Sequence, residues 1–371
     1  MYPWILAIVT FILLIFYCSF LAYLGRGFSK LKPGSSTRRP TVTVIVPAHN
    51  EEKTLPNLLR CLSEQHYPTD LTEIILVDDR SGDRTSKIMQ DFASVHPKVT
   101  AIRIHASVEN IAPKKQAVAS AIQSSTGEII LTTDADALPG PDWISEMIRA
   151  YDEGVGMVLG YAPYRTDGTF STLFHRILAL DYFAMGAIAA ASTGMGYPMT
   201  CNGANLSYRR EVFQKVGGFG KTAKWMSGDD DLFLHRVREK CSLRINFAIS
   251  PGSAVFNDPP RNFREFVRQR IRFASKHLAY PTCVKAALTQ VYTFNLCLCG
   301  LVVGTIFSLT YLPILLTALG VKAVCEVTFL VRGQRLLEKR NLLTLYPFAA
   351  IPHIFYVVIF PILGQFIRTR W

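Results

Sequence analysis

Residues 4–24 carry no charge, and this apolar run is long enough to cross about 30 Å of hydrocarbon as a helix. Such a segment removes purely soluble architectures from consideration. No basic stretch precedes it, and Tyr23, Leu24 and Gly25 make a poor small-residue cleavage site. Residues 1–25 therefore read as an uncleaved anchor and not as a signal peptide. The basic flank, Arg26, Lys30, Lys32, Arg38 and Arg39, comes after the run. Positive charge stays inside, so the N-terminus is expected to face out and the following domain to face the cytoplasm.

The far end repeats the pattern. Residues 286–321 are uncharged and too long for one ordinary span. With 321–331 they make room for a helical hairpin turning near 311–313. Lys322 and Glu326 stand four apart in its second helix, where they can pair on one face. Basic residues over 332–340 return the chain to the cytoplasm, and 342–366 makes a last span, bent at Pro352 or Pro361. Arg368 and Arg370 oppose the outside C-terminus this implies. The expectation is about four transmembrane helices, with 286–371 as the C-terminal membrane region.

The net charge of +12 would suit nucleic acid. Many of the cations flank apolar runs, however, where lipid headgroups call for them. The reading is an integral protein of the cell or inner membrane with no nucleic-acid partner. The eight cysteines show no metal-ligand spacing, and Cys18, Cys297, Cys299 and Cys325 lie inside apolar runs. They read as reduced structural thiols.

From 40 to 260 the pattern is α/β. Short runs rich in β-branched and aliphatic residues at 41–46, 73–77 and 128–132 alternate with helix-like stretches at 53–65, 85–95 and 113–124. Strands that are nearly continuously apolar argue for a mainly parallel sheet covered by flanking helices. Ligands bind such sheets outside the carboxyl ends of the strands. Polar clusters follow all three runs: Pro47 to Glu51, Asp78 to Asp83, and Asp134 to Asp136. No Gly-x-Gly-x-x-Gly follows the first strand, which counts against a dinucleotide-dependent oxidoreductase.

Asp78 and Asp79 are ordinary turn formers, and equally a carboxylate pair able to accept hydrogen bonds from a nucleoside. Asp134 and Asp136 are harder to explain as a solvated turn. Like charges one residue apart repel unless a cation separates them, and hard divalent cations bridge such carboxylates to substrate phosphates. Asp229, Asp230 and Asp231 precede a helix whose dipole favours them. Three exceed what capping needs, and one of them near a sugar hydroxyl would be a general base. Residues 261–284 hold apolar side chains at helical spacing with Arg264, Arg268, Arg270 and Lys276 interspersed. Taken alone this is an amphipathic interfacial helix with snorkelling cations.

Together and in order, Val-Pro-Ala-His-Asn-Glu-Glu, Val-Asp-Asp-Arg-Ser-Gly-Asp, Pro-Lys-Lys, Thr-Asp-Ala-Asp, Asn-Gly-Ala-Asn, Gly-Asp-Asp-Asp and Gln-Arg-Ile-Arg-Phe resemble the family 2 inverting glycosyltransferases. That group contains cellulose, chitin and hyaluronan synthases and ceramide glucosyltransferase. The resemblance covers roughly residues 40–275 and implies a GT-A fold with a nucleotide-sugar donor, UDP being the nucleotide expected. It assigns Pro47, Asn50, Glu51, Asp78, Asp79, Lys114 and Asp134 to the donor. Asp136 and Asp134 would hold a divalent cation, Mg or Mn. Asn202, Gly203, Asn205 and Phe273 would line the donor and acceptor pocket. Asp229 and Asp230 match the catalytic acidic pair, with Asp230 preferred as the base from helix register. Gln269 and Arg272 match Gln-x-x-Arg-Trp, with Phe273 in place of Trp.

The resulting expectation is transfer of a sugar to a lipid, lipid-linked or saccharide acceptor at the cytoplasmic face. A processive polysaccharide synthase shares every motif but usually needs more spans around a channel. A non-enzymatic scaffold or transporter would leave the carboxylates of the soluble domain unexplained, since transporter carboxylates lie within spans.

Overall fold

The computed structural model describes residues 3–367; Arg368 and Arg370 lie outside them. Along the chain the helices are α1 (Pro3–Gly25), α2 (Leu55–Ser63), α3 (Thr85–Val95), α4 (Pro113–Ser124), α5 (Trp143–Arg149) and α6 (Leu173–Gly194). There follow α7 (Arg210–Lys215), α8 (Asp231–Lys240), α9 (Phe263–Ala274), α10 (Thr282–Phe307), α11 (Leu312–Leu337) and α12 (Tyr346–Phe366). The strands are β1 (Val42–Ala48), β2 (Thr72–Asp79), β3 (Val99–Ile104), β4 (Ile129–Thr132), β5 (Ala137–Pro139), β6 (Val155–Gly160), β7 (Leu206–Arg209), β8 (Arg244–Ala248) and β9 (Val255–Asn257).

Two compact units divide these elements. An α/β unit takes Leu31–Arg165 and Gly196–Pro259, and a helical unit takes residues within Met1–Lys30, Thr166–Met195 and Pro260–Thr369.

In the α/β unit a seven-stranded sheet runs β3-β2-β1-β4-β7-β6-β8. All neighbours are parallel except β7, which is antiparallel to both β4 and β6. Every residue of β1 is buried, as its unbroken apolar run requires for a central strand covered on both faces. On one face Leu55, Leu58, Leu59 and Leu62 of α2 pack with Val42, Val44 and Val46 and with Trp143 and Met147 of α5. The register positions the chemistry. Ala48 pairs with Asp78, and Val42 with Ile129, so β1, β2 and β4 all end on one edge. Because β7 runs the other way, Leu206 at its start pairs with Thr132 at the end of β4. The loop before β7 therefore reaches the same edge as the loops after β1, β2 and β4.

In the helical unit, α1, α10, α11 and α12 match the spans expected from sequence. The hairpin between α10 and α11 turns over Ser308–Tyr311, and Pro313 sits in the first turn of α11, where its missing N–H is harmless. Lys322 and Glu326 pair at 2.8 Å as expected, and the hydroxyls of Tyr17 and Tyr346 donate to the same carboxylate. Pro352 and Pro361 lie within α12, which remains one helix.

A fifth helix, α6, is also long and apolar enough to cross a membrane. It falls within the stretch 40–260 that the sequence pattern assigns to the α/β domain. Over half (56%) of its most apolar stretch is buried within the protein, against 11–28% for the other four. It is the inner helix of this unit. The chain just after α1 meets the end of α6 backbone to backbone: a side chain at Gly27 would overlap the Ala191 carbonyl, and one at Gly194 would overlap Gly27. The reading of 261–284 changes too. Arg270 of α9 is buried and lies 2.7 Å from Asp181 of α6, so it does not snorkel; a buried guanidinium requires such a partner.

Candidate active site

The loops at the common edge bring most of the expected residues together. Lys114, in the first turn of α4, places its Nζ 2.6 Å from Asp134 Oδ1 and 2.9 Å from Asp229 Oδ2. Residues far apart in sequence thus share one ammonium. Burial opposes that charge, but the two carboxylates outweigh it and hold the Lys114 pKa above its usual range.

Among the described residues Asp136 has no such cation. Burial, with Asp134, Glu51 and Asp258 nearby, pushes its pKa up to about 7. The site holds more negative charge than its own lysine offsets.

On the β1–β2 side, Asp78 and Asp79 are both buried. Asp78 accepts from the Ser81 N–H at 3.1 Å and pairs with Arg103 at 3.2 Å. Asp79 Oδ1 pairs with Arg80 at 2.8 Å, while its buried Oδ2 has no hydrogen-bond donor among the described residues. The loop after β1 is tied to this turn: Asn50 donates its N–H to Ser81 Oγ and accepts the Gly82 N–H, and Glu51 donates its N–H to Thr85 Oγ1. Asn50 adopts a left-handed backbone conformation (φ 59°), which Asn tolerates and which folds the loop back onto Gly82. Pro47 lies within β1 opposite Val77.

On the other side, Gly203 donates its N–H to Asp230 Oδ2 at 3.1 Å, and Asp230 Oδ1 accepts the Asp231 N–H at 2.7 Å at the start of α8. Asp230 is the helix cap. Asp231 is buried, whereas Asp229 and Asp230 stay partly accessible. A Cβ on Gly203 would stand 3.1 Å from Asp229 Oδ2 and 3.3 Å from Lys114 Nζ, so any side chain there would crowd the cluster.

Asn202 accepts the Ala204 N–H at 3.0 Å, which shapes this loop. Asn205, expected in the pocket, is instead fully buried. Its Oδ1 accepts the Trp143 indole N–H, and its Nδ2 donates to the carbonyls of Tyr161 and Ser253. Both ends of the amide are bonded inside the fold, so Asn205 supports the loop.

Lys115, next to the expected Lys114, has a role the motif does not show. It is buried and donates to the carbonyls of Thr222, Trp225 and Ser227, pinning the segment that leads to Asp229. The paired lysines at the start of α4 were its only signal in the sequence. Gln269, Arg272 and Phe273 belong to α9 of the helical unit, where the Phe273 ring has Arg270, Arg272 and Lys276 within 5.6–5.9 Å.

Comparison with known proteins agrees with this architecture. The chain is 28% identical over 238 residues to the probable glycosyltransferase YdaM of Bacillus subtilis, covering 63% of this chain and 54% of that one. It is 25% identical over 249 residues to an N-acetylglucosaminyltransferase of Mesorhizobium japonicum, covering 65% and 57%. It thus spans a little over half the length of these relatives. Among solved structures, the mannosyltransferase PcManGT of Pyrobaculum calidifontis, in complex with GDP-Man and Mn2+, superposes with a TM-score of 0.62. That match has 22% identity and covers 98% of this chain and 97% of the other. Residues 43–217 match the model of glycosyl transferase family 2, so this stretch, with its GT-A-like sheet, is a family 2 glycosyltransferase domain.

Proposed function

We propose that this chain transfers a sugar, with inversion, from a nucleotide-sugar donor to a lipid, lipid-linked or saccharide acceptor at the cytoplasmic face of a membrane. The observation that carries the reading is the Lys114 bridge between Asp134 and Asp229 beside the under-compensated Asp136.

The residues fit a divalent cation of the Mg or Mn type. Among the described residues no three His, Cys, Asp or Glu side chains gather to hold a metal unaided. Two carboxylates, waters and substrate phosphates are the ligand set these cations favour. When bound at Asp136 and Asp134, the cation would offset diphosphate charge and polarise the leaving group. The open acceptor on Asp79 Oδ2 suits a nucleoside N–H or ribose hydroxyl.

For the base we take Asp229 over Asp230, the residue favoured by helix register. Both Asp230 oxygens already accept backbone N–H groups, whereas Asp229 belongs to the Lys114 cluster. Asp229 takes the acceptor hydroxyl proton as that oxygen bonds to the anomeric carbon. The bond to the diphosphate breaks, and its electron pair leaves with the nucleotide. Gln269 and Arg272 keep the roles the family pattern implies, Arg272 adding positive charge for the departing phosphates.

The test is to incubate detergent-solubilised protein with a panel of nucleotide sugars and Mn2+ or Mg2+, measuring nucleotide release. Release from one or a few donors that excess chelator abolishes is expected. No release from any donor, or full turnover in chelator, would overturn the corresponding part of the reading.

A further inference from the structure

A pocket lies wholly within the helical unit, where α1 and α11 both end. It is a shallow, open groove of about 400 Å³ lined by Arg26, Phe28, Ser29, Arg332, Arg335 and Leu336 beside Gly25. The Arg332 guanidinium reaches across the end of α1, where a Cβ on Gly25 would meet Nη1 at 3.5 Å. Among the described residues no carboxylate forms an ion pair with Arg26, Arg332 or Arg335. Contrast the next cations along: Arg340 is paired with Glu338, and Lys322 with Glu326.

Three exposed guanidiniums lining one groove repel one another, and an anion among them would relieve that repulsion. The described residues supply none, which leaves room for an anion from outside. The position narrows the source. Arg26 follows the last residue of α1, and Arg332 and Arg335 lie in the final turns of α11, two helices long enough to span a bilayer. Charges just beyond the ends of spans stand at headgroup level. Phe28 and Leu336 give the same cavity an apolar wall, which a free inorganic anion would not use.

We propose that this pocket binds the phosphate-bearing headgroup of an anionic phospholipid. The phosphate sits among Arg26, Arg332 and Arg335, and the glycerol and upper acyl carbons lie against Phe28 and Leu336. The inference rests on the membrane reading of the helices and is independent of sugar transfer.

The full chain, purified in a neutral detergent, is titrated with phosphatidylglycerol, with phosphatidylcholine, and with inorganic phosphate. The readouts are thermal midpoint and lipid retained by native mass spectrometry. Phosphatidylglycerol should bind and raise the midpoint, while the other two should do neither at equal concentration. Arg332→Gln with Arg335→Gln should weaken phosphatidylglycerol binding by about fivefold per charge removed. Arg332→Lys with Arg335→Lys, which keeps the charge and reports whether the site folds, should stay within about threefold of the parent. Equal binding of both lipids, equal binding of phosphate, or parental affinity in the Gln pair would overturn the proposal. So would an equal loss from Arg264→Gln with Arg268→Gln, exposed cations of α9, since binding would then be diffuse attraction. Nucleotide release measured on the same samples separates failure of this site from failure of the catalytic reading.

Discussion

Lys114 and Asp229 form an ion pair at 2.9 Å, and the same ammonium is within 2.6 Å of Asp134. Removing the ammonium leaves two carboxylates facing each other with nothing between them. Lys114→Met should lower kcat/KM for the nucleotide-sugar donor by about 10–100-fold, the scale of one or two charge-assisted contacts. Steady-state kinetics on the purified variant would show it. A variant with parental kcat/KM would remove Lys114 from the site.

The raised pKa of Asp136 makes cation binding pH-dependent with a definite sign. Above about 7 the carboxylate is ionised and can ligate; below it a proton must first be displaced. Mn2+ affinity in the absence of donor should therefore be level above pH 7 and fall about tenfold per unit between pH 7 and 5. Calorimetric titration across that range tests it. In Asp136→Asn the slope attributed to this group should vanish.

Asp229 and Asp230 separate by substitution. Asp229→Asn should lower kcat by about 10²–10⁴-fold with the donor KM nearly unchanged, as expected for loss of a general base. Asp230→Asn retains an oxygen able to cap α8 and should stay within a few-fold of the parent; Asp230→Ala should cost about 1 kcal/mol of stability. An inactive Asp230→Asn beside an active Asp229→Asn would return the base to Asp230.

Asn205 serves the fold. Asn205→Ala strands the Trp143 indole N–H and two buried carbonyls, at a cost of about 3 kcal/mol. The thermal midpoint should drop while the donor KM of the folded fraction stays near the parental value. A rise in KM at an unchanged midpoint would place Asn205 back in the pocket.

The topology has its own check. A single cysteine introduced between Gly34 and Pro40 should be protected from an impermeant reagent in intact cells and labelled once they are opened. Labelling in intact cells would put the α/β unit on the wrong side for nucleotide sugars.

The parallel half of the sheet was legible because its strands are apolar throughout and each is followed at once by its polar cluster. The expected helix at 113–124 coincides with α4, and the strands at 41–46, 73–77 and 128–132 with β1, β2 and β4 to within a residue or two. Helix α6 escaped because His175, Arg176 and Asp181 interrupt it and small residues lower its hydropathy. That composition suits a helix buried among other helices better than one facing lipid. The burial of Arg270 was hidden for the same reason, since its partner lies on α6. The capping role of Asp230 was not legible because three adjacent carboxylates look alike in sequence. Only the backbone decides which one caps the helix, and only the tertiary fold brings Lys114 to Asp229.

The order of β7 in the sheet bears on how the protein is made. It lies between β4 and β6, yet it is synthesised after both, with the whole of α6 in between. As translation proceeds, β4 and β6 emerge with their facing edges unpaired, and they stay so while a helix apolar enough for a membrane leaves the ribosome. Exposed edges of this kind invite wrong pairing. Closure of the sheet therefore waits until the whole of α6 has been made, and a delay over that stretch leaves a half-built sheet open to wrong partners or to chaperones.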